Sequence, residues 1–94
     1  MDDAAFEWDE RKAAANVIRH GAAFAAARRA FQEPFAVEWR DERHAYGEDR
    51  FVLLAMVEGR LLYVAYTVRG DSIRIISARG ADSHERRRYH ESSA

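Results

Sequence analysis

The hydrophobic pattern of this 94-residue chain changes from a helical period to a strand period near Pro34, its only proline. Residues 10–20 repeat apolar positions with a period near 3.6, after Asp9 at an N-cap position and before Gly21 at a C-cap position. Residues 23–31 repeat apolar positions in the same way. The first third of the chain therefore predicts a pair of helices.

The first predicted helix carries two different faces. One face is apolar and consists of Ala14, Val17, Ile18 and Gly21. Another carries Lys12, Asn16 and His20 at i, i+4 and i+8, where Lys12 and Asn16 could contact RNA or could form the solvated side of the helix. His20 is a candidate acid or base because imidazole titrates near neutrality, and it could equally satisfy carbonyls at the helix end.

Beyond Pro34 the period becomes two, as in strands with alternating faces. The strand-like segments are about 35–40, 50–57, 61–68 and 72–78. Glycine-centred turns join the last three, which is typical of an antiparallel meander.

Asp82 and Glu85 have capping-box spacing and predict a short terminal helix to about residue 91. The predicted class is α+β: an N-terminal helical pair packed on one face of an antiparallel sheet, with a short C-terminal helix and the other sheet face available for a ligand.

Composition narrows this picture. A chain of this length predicts one domain, residues 1–94. There is no cysteine, which excludes disulfides, thiolate metal sites and a cysteine nucleophile. We find no membrane-length apolar run and no basic leader at the N-terminus, so we expect a cytoplasmic protein without membrane contact.

Charge is unevenly distributed along the chain. The net charge is −1, but residues 1–49 carry eleven acidic against seven basic residues, whereas residues 50–94 carry five against eight. Arginines at 60, 69, 74 and 79 interrupt the apolar strand pattern. Guanidinium groups are bidentate donors for phosphate, so RNA is the first ligand to consider.

The chemistry that these residues favour is phosphodiester cleavage without a metal or another cofactor. It requires a base, an acid and cations that stabilise the phosphorane. Arg69, Arg74 and Arg79 could supply the cations, although an unbroken strand would place Arg74 on the opposite face. The turn that contains Gly70, or a bulge near Ser77, could bring the three together. No metal-ligand motif is visible. His44 could be catalytic or merely exposed, and Trp8 could be core or a stacking surface.

These residues resemble a known family, the BrnT toxins of bacterial BrnT/BrnA type II toxin-antitoxin systems. The resemblance runs from about 6 to 89 and rests on the following residues: Phe6-Glu7-Trp8-Asp9, Lys12, Asn16, His20-Gly21, Phe24, Ala30-Phe31, Pro34, His44, Gly47-Glu48, Arg50, Ile73-Arg74-Ile75-Ile76-Ser77-Ala78-Arg79 and Glu85-Arg86.

The resemblance implies a RelE-like fold, a ribonuclease that inhibits translation and arrests growth, and neutralisation by a ribbon-helix-helix BrnA antitoxin, with operator DNA bound only through the complex. The family signature matches this sequence at six positions: Lys12, Asn16, His20, Arg50, Arg74 and Arg79. Arg69 and Glu48 also stand where the family usually has these residue types. We therefore assign Arg74, Arg79, His20 and Glu48 as candidate catalytic residues. The candidate substrate-binding residues are Lys12, Asn16, Arg50, Arg69 and Trp8.

Two other functions remain compatible with the sequence. The protein could bind RNA or the ribosome without cleavage, or it could be a degenerate toxin that acts only as a co-repressor with its antitoxin.

Overall fold

The computed structural model describes residues 5–43 and 47–93, so the candidate His44 lies outside the described residues. Five strands and three helices follow one another along the chain. In chain order they are β1 (Ala5–Glu7), α1 (Glu10–His20), α2 (Phe24–Ala30), β2 (Val37–Asp41), β3 (Arg50–Val57), β4 (Arg60–Arg69), β5 (Ser72–Gly80) and α3 (Ser83–Ser93). The α+β class is confirmed.

The sheet has the strand order β1-β5-β4-β3-β2 and is mixed. Strands β2 to β5 form the predicted antiparallel meander. The prediction of a wholly antiparallel sheet is wrong, because β1, which precedes the two consecutive helices, pairs parallel with β5, Phe6 lying opposite Ile73. A three-residue strand whose partner lies more than 60 residues later leaves little local signal.

Both ends of α1 follow the predicted capping rules. The Asp9 carboxylate accepts hydrogen bonds from the backbone N–H groups of Arg11 and Lys12 at 2.9 and 3.1 Å. Gly21 ends the helix in the left-handed region with φ 64°, where a side chain would be strained. In α3 the capping box is also confirmed, since Asp82 and Glu85 exchange backbone-to-carboxylate bonds at 2.9 and 2.8 Å.

The orientation of α1 differs from what its apolar pattern indicates. Ile18 is 88% exposed and Val17 47% exposed, whereas Asn16 is buried at 7%. The interpretation of Asn16 as part of a solvated side is therefore wrong. The reason is that α1 packs against the edge of β5, where unpaired backbone groups need polar partners more than apolar cover.

Apolar residues cover both faces of the sheet. The helical face packs sheet residues such as Leu53, Val64 and Ile75 against Phe24 and Ala27 of α2. The opposite face, here called the arginine face, buries a smaller cluster formed by Val52, Leu54, Leu61, Tyr63 and Tyr89. Because Tyr89 belongs to α3, the terminal helix covers one end of the face that we expected to be free.

A bulge in β5 decides which way its arginines point. Ala65 pairs with Ser77 but Tyr66 pairs with Ile75, so Ile76 is an extra residue without a partner in β4. On either side of the bulge, Arg79 pairs with Tyr63 and Arg74 with Thr67. Tyr63 and Thr67 alternate with Arg69 along β4, so all three arginines share one face. Of the two irregularities that could bring the arginines together, the bulge near Ser77 is therefore present.

None of the helices within the described residues is both long and apolar enough to span a membrane.

Glu33 joins three parts of the fold through one carboxylate. It accepts hydrogen bonds from the Met56 N–H at 3.0 Å, from the Phe35 N–H and from the Tyr89 hydroxyl. Burial opposes ionisation, but these donors outweigh it and hold the pKa of Glu33 below its ordinary value. Burial and the same carboxylate raise the pKa of Tyr89 to about 12.

We expect Glu33→Gln to lower the free energy of unfolding at neutral pH and to have progressively less effect in acid. A carboxylate with a depressed folded pKa stabilises the fold above its ordinary value of 4.5, and this contribution is lost as the pH falls through the folded value. Urea denaturation of both proteins between about pH 7 and pH 3 measures this. The exposed Glu42→Gln is the control, and a pH-independent difference for Glu33→Gln would contradict the expectation.

Candidate active site

Two adjoining pockets lie between α1, the start of β3 and the bulged part of β5. The larger has a volume of about 420 Å³ and the smaller about 60 Å³, and both are lined by Lys12, Arg50 and Ile76. We call the two together the basic cleft. Its lining residues are Asp9, Lys12, Ala15, Asn16, Arg19, His20, Glu48, Arg50, Arg69, Arg74, Ile75, Ile76 and Ser77.

The basic cleft brings together seven of the nine candidate residues, from both helical and strand parts of the sequence. They are Lys12, Asn16, His20, Glu48, Arg50, Arg69 and Arg74. His20 lines the larger pocket and Glu48 the smaller, and the two pockets share Lys12 and Arg50. Each pocket thus contains one proton-transfer candidate beside the shared cations.

Arg79 lies on the arginine face but does not line the cleft. Its guanidinium makes two bonds of 2.8 Å to the Glu85 carboxylate and lies 3.9 Å from the centre of the Tyr63 ring. The bond to Glu85 is the main cause of the raised pKa of Arg79. Arg79 therefore ties β5 to the first turn of α3.

Trp8 also lies outside the cleft. Its ring packs edge-on against Phe24 with centroids 6.0 Å apart, within the cluster on the helical face. This is the core position that we considered beside a stacking role.

Asn16 makes the contacts that fix α1 to β5. Its amide nitrogen donates to the Ala22 carbonyl at 2.8 Å and to the Ala78 carbonyl at 2.7 Å, and its amide oxygen accepts from the Ala78 N–H at 3.2 Å. The side chain thus imitates a neighbouring strand at Ala78. Lys12 and His20, on the same helix, are thereby held opposite the bulge.

The last turn of α1 is fixed by Arg60. The Arg60 guanidinium donates to the carbonyl of Gly21 at 2.9 Å and to that of His20 at 3.1 Å. One interpretation of His20 was that it satisfies carbonyls at the helix end, but Arg60 is the donor to these carbonyls. His20 instead lines the larger pocket.

Positive charge dominates the cleft. Five cations, Lys12, Arg19, Arg50, Arg69 and Arg74, line it against two carboxylates, Asp9 and Glu48. Backbone N–H donation from Lys12 is the main cause of the lowered pKa of Asp9, and the charges of Lys12 and Arg74 add to it.

Two of these arginines form ion pairs within the chain. Arg74 bonds Glu7 of β1 at 2.9 Å, and Arg69 lies 3.3 Å from Glu48. A phosphate entering the cleft would compete with these carboxylates for the guanidinium donors.

Within the part of the chain that the structure describes, no group of three or more His, Cys, Asp or Glu side chains could hold a metal ion.

Sequence reasoning missed some cleft residues. Arg19 lies seven residues after Lys12, so helical spacing could have placed it on the cleft side. Ser77 was considered only as the site of a bulge, and it lines the larger pocket. Glu7, which was not among the candidate residues, is the partner of Arg74.

The fold and the cleft define a small α+β protein with a positively charged site beside a bulged strand. A family model described as the ribonuclease toxin BrnT of a type II toxin-antitoxin system matches residues 8–85. The chain belongs to this family, which confirms the resemblance found in its sequence. A search of curated proteins found no match. Every residue that lines the basic cleft lies within the matched segment.

We expect Asn16→Ala to lower the free energy of unfolding by about 2–3 kcal/mol, because it leaves three buried backbone groups without their partner. Lys12→Ala, on the same helix but exposed, is the matched control and should change stability by less than about 0.5 kcal/mol. Urea denaturation followed by circular dichroism measures both. Equal stabilities of the two variants would mean that Asn16 does not fix α1 to β5.

Proposed function

We propose that this protein is a metal-independent endoribonuclease toxin with a RelE-like fold, which cleaves RNA in the basic cleft, inhibits translation and arrests growth in the cytoplasm. The observation that carries the proposal is that the two adjoining pockets of the basic cleft share Lys12 and Arg50, while His20 lines one pocket and Glu48 the other. The family match supports ribonuclease activity in general.

The reaction begins at the ribose 2′-hydroxyl. A base removes its proton, the 2′-oxygen forms a bond to phosphorus, and the bond from phosphorus to the 5′-oxygen breaks. The acid returns a proton to the leaving 5′-oxygen, so the products are a 2′,3′-cyclic phosphate and a 5′-hydroxyl end. In-line displacement places the attacking and leaving oxygens on opposite sides of phosphorus. In this proposal His20 and Glu48 take these two opposite positions about a phosphate bound by Lys12 and Arg50.

The cations stabilise the charge that develops on the phosphorane. Arg50 and Arg74 are the guanidinium donors of this proposal, and Lys12 adds a third positive charge. Because these groups supply the stabilisation that a divalent cation provides in other nucleases, cleavage proceeds in the presence of chelator. Arg69 binds RNA once phosphate replaces Glu48 as its partner.

Arg79 takes a more distant role. It follows Arg74 by five residues along β5, roughly 13 Å away when the bulge is allowed for. We therefore assign Arg79 to a neighbouring phosphate instead of the scissile one. For this role the Arg79 guanidinium must first be released from its ion pair with Glu85.

The partner in this proposal is a BrnA-type ribbon-helix-helix antitoxin, which neutralises the toxin and brings it to operator DNA as a co-repressor. Burial of the cleft arginines in such a complex requires carboxylates from the antitoxin, because unpaired buried charges are strongly destabilising.

RNA or ribosome binding without cleavage is a second candidate. Arg69, Arg74 and Arg79 each pair with a carboxylate of the chain, and this arrangement favours a surface that exchanges ion pairs on binding. Production of new RNA ends separates the two candidates.

We expect induction of the chain in a bacterium that lacks the antitoxin to arrest growth and to produce new RNA 5′-hydroxyl ends. Arg74→Ala should slow cleavage of RNA by the purified protein about 100-fold or more, the usual loss when a donor to the developing charge is removed. Arg79→Ala should slow it less. The exposed Arg87→Ala of α3 is the matched control and should cleave normally.

Cleavage should persist in EDTA, and loss of activity that Mg²⁺ restores would overturn metal independence. Growth arrest without new ends would favour the binding candidate. No arrest from well-folded protein would leave only the co-repressor role.

A further inference from the structure

The solvent side of α1 is an apolar surface without a partner among the described residues. Arg11, Ala14, Ala15, Val17 and Ile18 are all exposed on it, and Ala15 forms its border with the basic cleft. Ile18, at 88%, is the most exposed of the large hydrophobic residues that the structure describes. We call these five residues the outer stripe of α1.

An outer stripe of this kind costs stability in the isolated chain. Burial of one isoleucine contributes about 1.5–3 kcal/mol relative to exposure, and α1 instead turns Asn16 inward. Three of the five residues, Ala14, Ala15 and Ile18, lie within one turn of each other, so the apolar groups are contiguous. Contiguous apolar surface on a small protein marks an interaction site.

The charges around the outer stripe restrict its partner. Arg11 lies within it, Lys12 and Arg19 lie at its border with the basic cleft, and these three cations outnumber the exposed Glu10 at the start of α1. The complementary surface therefore has apolar side chains bordered by carboxylates. RNA does not fit this description because it has no apolar side chains. A second copy of this chain does not fit either, because it would bring the same three cations together and they would repel.

We propose that the outer stripe of α1 is the surface on which the antitoxin docks, through a segment with apolar side chains centred on Ile18 and acidic side chains towards Lys12 and Arg19. This inference rests on the proposed function for the identity of the partner. On the helix surface Arg19 and Lys12 lie between Ile18 and Asn16, and both line the cleft. A segment that extends from Ile18 to these two cations therefore reaches the mouth of the cleft. The antitoxin then both anchors on apolar surface and excludes RNA.

The test uses Ile18→Glu and Ile18→Arg in the full chain with a cognate BrnA-type antitoxin. We expect Ile18→Glu to raise the Kd for the antitoxin at least tenfold by calorimetry, and Ile18→Arg to raise it less, because only the acidic substitution repels the carboxylates. Phe35→Glu is the matched control. Phe35 is 63% exposed and precedes β2, at the opposite edge of the sheet from α1, so antitoxin affinity should be unchanged.

A growth assay supplies the second measurement. Ile18→Glu should remain toxic when induced alone and should no longer be rescued by co-expressed antitoxin, whereas Phe35→Glu is rescued. Unchanged affinity and full rescue for Ile18→Glu would overturn the docking site. An inactive wild-type chain would count against the ribonuclease proposal alone, since calorimetry still reports on docking.

Discussion

The pairing of Asn16 with Ala78 is the interaction on which the site depends. Strand β5 is covered along the first part of its outer edge by β1, and beyond the bulge its backbone groups face a helix instead of a strand. A helix presents no backbone donors sideways, so one amide side chain makes both bonds that a strand residue would make. The pairing of Asn16 with Ala78 places α1 against the sheet edge, and without that placement the basic cleft would not form.

The same constraint explains the reversed amphipathic character of α1. Packing against a strand edge favours a polar residue and small alanines at the contact, and it leaves the larger apolar residues outside. Helical periodicity identified the two faces of α1 from the sequence, but it could not say which face is buried, because hydrophobicity normally decides that question and here backbone hydrogen bonding does.

The sequence allowed good prediction wherever short-range chemistry determines structure. Asp9, Gly21 and the Asp82–Glu85 pair act within a few residues of themselves, and the glycine-centred turns fix the meander locally. Seven of the nine candidate residues converge in the cleft. The resemblance to the family indicated all seven, and helical spacing indicated Lys12, Asn16 and His20 as well. Pairing of β1 with β5, the position of Trp8 in the core and the cover that α3 places on Arg79 depend on contacts distant in sequence, and no local pattern encodes them.

Arg60 and Gly80 illustrate a dependence of another kind. A Cβ at position 80 would lie 3.1 Å from Nη2 of Arg60, the nitrogen that holds the His20 carbonyl. A side chain there would displace the guanidinium by a few tenths of an ångström and loosen its hold on the end of α1. Positions 60 and 80 should therefore covary among relatives, with glycine at 80 retained wherever arginine occupies 60 and larger residues admitted where it does not.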